Sequence, residues 1–69
     1  MNTIHLKEDF IKLGQVLKAA GLVDSGVEAK LVILDEQVKV NGQVEVQRGK
    51  KLYPGDVVEF DGEVVKIEA

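Results

Sequence analysis

Two Asx-Gly pairs, Asn41-Gly42 and Asp61-Gly62, stand between runs of alternating valines and constrain this chain more than any other feature. Such a dipeptide between period-two apolar runs marks a tight β-hairpin, because both central turn positions need positive φ. Around Asp61-Gly62 the parity is simple. A two-residue loop pairs Phe60 with Glu63 and Val58 with Val65, which sets Val58, Phe60, Val65 and Ile67 on one face. Around Asn41-Gly42 the same loop puts Val38 and Val40 on one face and Val44 and Val46 on the other. A three-residue loop, Val40 to Gly42, pairs Val38 with Val44 and brings Val38, Val44 and Val46 together, with Gly42 in a G1 bulge. Burial of valines favours the bulged form. Tyr53-Pro54-Gly55-Asp56 joins the two hairpins in the proline and glycine order of a type II turn.

Upstream the period changes. Thr3 to Lys7 reads as a short edge strand. Leu13, Val16, Leu17 and Ala20 then recur at helical spacing, with Gly21 as a left-handed stop, and predict a helix over 12–20. Gly14 inside that helix costs roughly 1 kcal/mol against alanine, so a close neighbour is expected there. Ser25 followed by Glu28 is a capping box opening a second helix, with Ala29, Val32 and Ile33 as its buried stripe and an end near Leu34 or Asp35. The short connection predicts an αα-hairpin. The expected class is α+β, with two short helices packed on a small, twisted, mostly antiparallel β-sheet.

The 69 residues are expected to form one domain, 1–69, with a small core. Apolar residues at 45% and charged residues at 30% suit a folded chain and not a disordered one. There is no cysteine, hence no disulfide and no thiolate metal site. The start, MNTIHLKEDF, lacks the basic and apolar regions of a signal peptide. The run Leu31-Val32-Ile33-Leu34 is too short to span a bilayer, so a cytoplasmic location is expected.

The net charge is −3 but unevenly spread. After Leu52, five acids (Asp56, Glu59, Asp61, Glu63, Glu68) face one base, Lys66. Between Lys30 and Lys51, five bases (Lys30, Lys39, Arg48, Lys50, Lys51) outnumber three acids (Asp35, Glu36, Glu45). With screening over about 8 Å in physiological salt, a phosphate responds to the local cluster more than to the distant tail. Several bases on neighbouring elements can engage several phosphates at once. Lysines on an edge strand also discourage sheet-to-sheet aggregation. Arg48 and Lys50, two apart, would share one face of an extended segment.

The order of these pieces resembles the RNA-binding domain of the ribosomal small-subunit protein four type, the alpha-L RNA-binding motif. The matching words are Lys12-Leu13 with Leu17, Gly21-Leu22, Ser25 with Ala29-Lys30, Val38-Lys39-Val40-Asn41-Gly42 and Pro54-Gly55-Asp56. They cover residues 11–60. Ser25-Gly26 with Ala29-Lys30, and the run Arg48-Gly49-Lys50-Lys51-Leu52, are most similar to the small stand-alone bacterial YaaA/YbcJ-like group. The family often has Asp where Gly14 stands, Arg where Gly26 stands and Gly where Glu36 stands. The resemblance implies RNA binding by the second helix and the adjacent hairpin.

The candidate RNA-binding residues are therefore Lys30, Lys39, Asn41, Arg48, Lys50 and Lys51. Ser25 is a helix cap and a possible phosphate contact, since a helix start also attracts anions. Asn41 is first a turn residue. Tyr53 has the chemistry to stack on a base, although its place before Pro54 suggests packing in the turn. Lone His5 has no second histidine with which to build a metal site, and there is no phosphate-cradling GxxxxGK[ST]. The expectation is a non-enzymatic, monomeric protein that binds structured RNA, ribosome-associated among other settings, with no cofactor, metal, membrane or small-molecule substrate. The rival is a protein-interaction adaptor docking through a sheet edge. A β-grasp sulfur carrier needs a C-terminal Gly-Gly; the sequence finishes Ile67-Glu68-Ala69, and that chemistry is not expected.

Overall fold

The computed structural model describes residues 2–69. Along the chain run β1 (Asn2–His5), β2 (Ile11–Lys12), α1 (Leu13–Ala19), α2 (Gly26–Leu34), β3 (Val38–Val40), β4 (Gln43–Val44), β5 (Lys51–Leu52), β6 (Val57–Phe60) and β7 (Glu63–Glu68). Five strands form one sheet in the order β1-β7-β6-β3-β4, while β2 and β5 form a separate two-stranded ribbon. Only β1 runs parallel to its neighbour, β7. This is the expected α+β class with a mostly antiparallel sheet. The ribbon of β2 and β5 is an addition that the sequence reading did not contain.

Both helices form where the periodicity places them, and their ends have identifiable chemistry. Ser25 Oγ accepts the Glu28 N–H at 3.1 Å. The reciprocal arm of the box reaches one residue further back than expected, with Glu28 Oε1 accepting the Asp24 N–H at 2.8 Å. Leu13, Val16 and Leu17 of α1 and Ala29 and Ile33 of α2 are fully buried against Val38, Val58, Val65 and Ile67 of the sheet. α2 closes through bonds from the Glu36 N–H to Ile33 O and the Gln37 N–H to Val32 O, with Glu36 itself left-handed at φ 61. That position normally takes glycine.

The Asp61-Gly62 hairpin has the expected register, with Phe60 opposite Glu63 and Val58 opposite Val65. The Asn41-Gly42 hairpin does not. Val40 pairs with Gln43 and Lys39 with Val44, so the loop has two residues, both at positive φ, and no bulge. Val38 and Val40 are buried, whereas Val44 and Val46 are 45% and 46% exposed. The reason is twofold. Asn41 is clamped to the start of β6: its N–H donates to Val57 O at 2.8 Å, and its Oδ1 accepts the Val57 N–H at 2.9 Å. β4 is also a two-residue edge strand whose outer residues nothing in the fold needs to cover. Burial decides the register of the inner strand β3, and the edge valines follow.

Candidate nucleic-acid interface

The segment 45–50 crosses from the sheet edge to the start of α1, and a turn shapes it. The Lys50 N–H donates to Gln47 O at 3.1 Å, which leaves Arg48 and Gly49 at the apex. Arg48 and Lys50 therefore do not share the face of an extended segment, as their spacing predicted. The carbonyls of this turn have a specific use. Leu13 and Gly14, at the start of α1, carry amide groups with no partner inside the helix. The Leu13 N–H donates to Lys50 O at 2.9 Å and the Gly14 N–H to Arg48 O at 3.1 Å. The basic turn is thus the cap of α1.

Gly14 makes this docking possible. A Cβ at that position would stand 2.7 Å from Arg48 Cγ and 3.4 Å from Arg48 Cδ. The close neighbour expected at Gly14 is the stem of an arginine. Above it lies a groove of about 330 Å³ lined by Lys12, Gly14, Gln15, Lys18, Gly26, Ala29, Arg48 and Gly49. Lys18 projects one helical turn beyond Gly14, and Lys12 sits at the N-cap of α1. Three basic residues, Lys12, Lys18 and Arg48, share this lining with glycine, alanine and Gln15, and no carboxylate is part of it. The one ion pair among the described residues is Lys66 with Glu68 at 3.8 Å, on the far strand.

The sequence-predicted residues divide. Arg48 lines the groove, with Lys50 and Lys51 following it on the same segment. Lys30 is exposed on α2, one turn past Gly26 at the groove's edge. Ser25 uses its hydroxyl as a cap. Lys39 stands elsewhere, directly opposite Glu59 and beside Asp61 and Glu63 in a separate acidic hollow. Asn41 has both ends of its amide engaged, the Nδ2 donating to Asp56 Oδ1 at 3.0 Å and the Oδ1 accepting from Val57. Lys39 and Asn41 are therefore not part of the groove. Lys12 and Lys18 are, and the sequence reading missed them. The available signal was Gly14: a helical glycine that demands a neighbour also makes its i+4 residue, Lys18, a member of the same site.

The ribbon of β2 and β5 borders the groove through Lys12. Ile11 pairs with Leu52 and faces inward; Lys12 pairs with Lys51 and faces out. Like charges directly opposite one another destabilise a ladder. Lys51 Nζ lies 4.8 Å from the centre of the Phe10 ring, which accounts for part of its placement.

A helical hairpin set over a mixed, mostly antiparallel sheet is the architecture of the alpha-L class of small domains. The chain belongs to the S4 domain family, whose profile matches residues 4–68. It is 44% identical over 61 residues to the probable ribosome maturation protein RlbA of Bacillus subtilis (strain 168), covering 88% of this chain and 86% of that one. It is 38% identical over 63 residues to the putative RNA-binding protein YbcJ of Escherichia coli (strain K12), covering 91% and 90%. The solution structure of the E. coli YbcJ protein, described as an alpha-L motif involved in RNA binding, superposes with a TM-score of 0.76 at 38% identity, over 100% of this chain and 89% of that one.

Proposed function

We propose that this protein binds structured RNA without catalysing a reaction on it, seating backbone phosphates in the groove between α1, α2 and the Arg48-Gly49 turn. The observation that carries the reading is the presence of Lys12, Lys18 and Arg48 in one groove with no acidic lining, in a chain of net charge −3. Lys39, by contrast, stands among Glu59, Asp61 and Glu63 in its own hollow. Lys50, Lys51 and Lys30 extend the positive surface around the rim. Ribosomal RNA in the course of assembly is the class of target that the relatives' names support, and the cytoplasm is where it would be met.

With about three to five phosphates neutralised, log K falls against log salt with a slope of roughly −2 to −4. Few groove residues can read base edges, so discrimination comes from RNA shape. The test is crosslinking in cells with sequencing of bound RNA, followed by mobility shift on the recovered RNA. Arg48→Glu is expected to weaken binding at least tenfold with the fold intact. Unchanged affinity would remove the groove from the reading.

Docking of a protein through the β4 edge is less favoured, because the Val46 and Gln47 N–H groups beyond that strand are already bound by Glu45 Oε2 at 3.2 and 3.1 Å. In this register Val44 and Val46 are the outward donors, so an added strand would find Val44 alone on a two-residue edge.

A further inference from the structure

The outward face of the β2–β5 ribbon holds more than the two lysines. Continuing its register one step beyond Ile11 and Leu52 places Phe10 across from Tyr53, and side chains two apart on a strand share a face. Phe10 and Tyr53 accordingly meet, with ring centres 6.2 Å apart and planes tilted by 52°. The face is a two-by-two tile of Lys12 and Lys51 beside Phe10 and Tyr53, with Lys51 crossing diagonally over the Phe10 ring. Lys51 occupies the Phe10 face. Tyr53 is 49% exposed, so its ring offers the open aromatic surface. Its backbone is fixed: the Tyr53 N–H donates to Asp56 Oδ2 at 2.8 Å and its carbonyl accepts the Asp56 N–H at 3.0 Å. An exposed ring on a rigid turn loses little freedom when something stacks on it.

We propose that Tyr53, with Lys51 and Phe10 behind it, is a stacking platform for one unpaired nucleobase, next to the phosphate groove. The inference rests on the RNA reading above and narrows it: the target carries a bulged or looped-out base close to the backbone held at Lys12 and Arg48. Lys12 belongs to both surfaces, lining the groove and standing opposite Lys51. Lys12 and Tyr53 are diagonal neighbours on the ribbon, a separation of about 7–8 Å, within the reach of a single nucleotide from phosphate to base. Aromatic rings stack on any base and hydrogen-bond to none, so the platform selects an unstacked base rather than a particular letter. It also accounts for leaving Lys12 and Lys51 face to face, since a polyanion lying over the tile relieves the repulsion.

The experiment uses three short RNA duplexes of one sequence: fully paired, with a single bulged adenosine, and with an abasic residue at the bulge. Tyr53 is the only tyrosine in a chain without tryptophan, so intrinsic fluorescence reports on this ring alone. The bulged adenosine is expected to quench it and to bind about tenfold more tightly than the abasic duplex. Tyr53→Leu, which keeps apolar bulk without an aromatic face, should erase that tenfold preference and leave binding of the abasic duplex and its salt slope unchanged; Tyr53→Phe should restore the preference. Equal, salt-dependent binding of the bulged and abasic duplexes without quenching overturns the platform and spares the groove. Absence of salt-dependent binding to any of the three overturns both.

Discussion

The Cγ of Arg48 rests where the side chain of residue 14 would begin. A methyl group on Gly14 would approach it to 2.7 Å, so the helix start and the basic turn share one volume. Alanine in a helix interior normally stabilises by roughly 0.5–1 kcal/mol over glycine. At Gly14 that gain is offset by displacing a flexible side chain. Gly14→Ala is expected to change unfolding free energy in urea by less than about 1 kcal/mol, while RNA affinity falls about fivefold as Arg48 swings out. A variant that binds as well as the parent would show that Arg48 reaches phosphate from any rotamer.

Lys12 and Lys51 make the opposite kind of trade. Lys12→Glu turns a repulsive cross-strand pair into an attractive one and adds a negative charge at the start of α1. Both effects stabilise, together by about 0.5–1 kcal/mol. The same change removes one of the proposed phosphate contacts, so the salt slope should shrink by about one. The expected result is a protein that melts higher and binds more weakly. Thermal denaturation and a salt titration of RNA affinity check it.

Glu36 holds a left-handed backbone at the end of α2, where a side chain costs roughly 1–2 kcal/mol. Its position lies outside the groove lining. Glu36→Gly should therefore stabilise by about 1 kcal/mol after the entropy of the unfolded glycine is counted, raising Tm by about 4–8 °C, with RNA affinity unchanged. A lower Tm would mean that Glu36 makes a stabilising contact in solution.

Asn41→Ala removes two side-chain hydrogen bonds, to Asp56 and Val57, and leaves alanine at φ 52. The expected loss is about 2 kcal/mol, read by urea denaturation. Because Asp56 also holds the Tyr53 N–H, the variant should exchange the Tyr53 amide hydrogen faster than the parent does. Unchanged exchange there would separate the two turns.

The local signals in this sequence were reliable where their causes are local. Ser25 with Glu28 caps α2, and Phe60-Asp61-Gly62-Glu63 closes its hairpin as parity requires. The Asn41 turn misled because parity weighs neither the bonds of Asn41 to Asp56 and Val57, fifteen and sixteen residues away, nor the freedom of an edge strand to leave its valines exposed. The groove was half legible. Gly14 announced a partner, but nothing in the order of residues identifies it as Arg48. Lys12 and Lys18 are not among the sequence-predicted residues; the docking of the turn at 48–49 on Gly14 brings them into one groove with Arg48. Conversely, Lys39 is close in sequence to the basic run yet belongs to the acidic end, since its cross-strand neighbour is Glu59.

The parallel pairing of β1 with β7 sets Asn2 beside Val65. During synthesis β1 thus has no partner until some sixty residues later, when β7 has been translated. The helical hairpin needs no such wait, and neither does β3 once β6 has emerged. Newly made chains should pass through a stage with helices formed and one border of the sheet open, with β1 and β7 pairing last across that long loop.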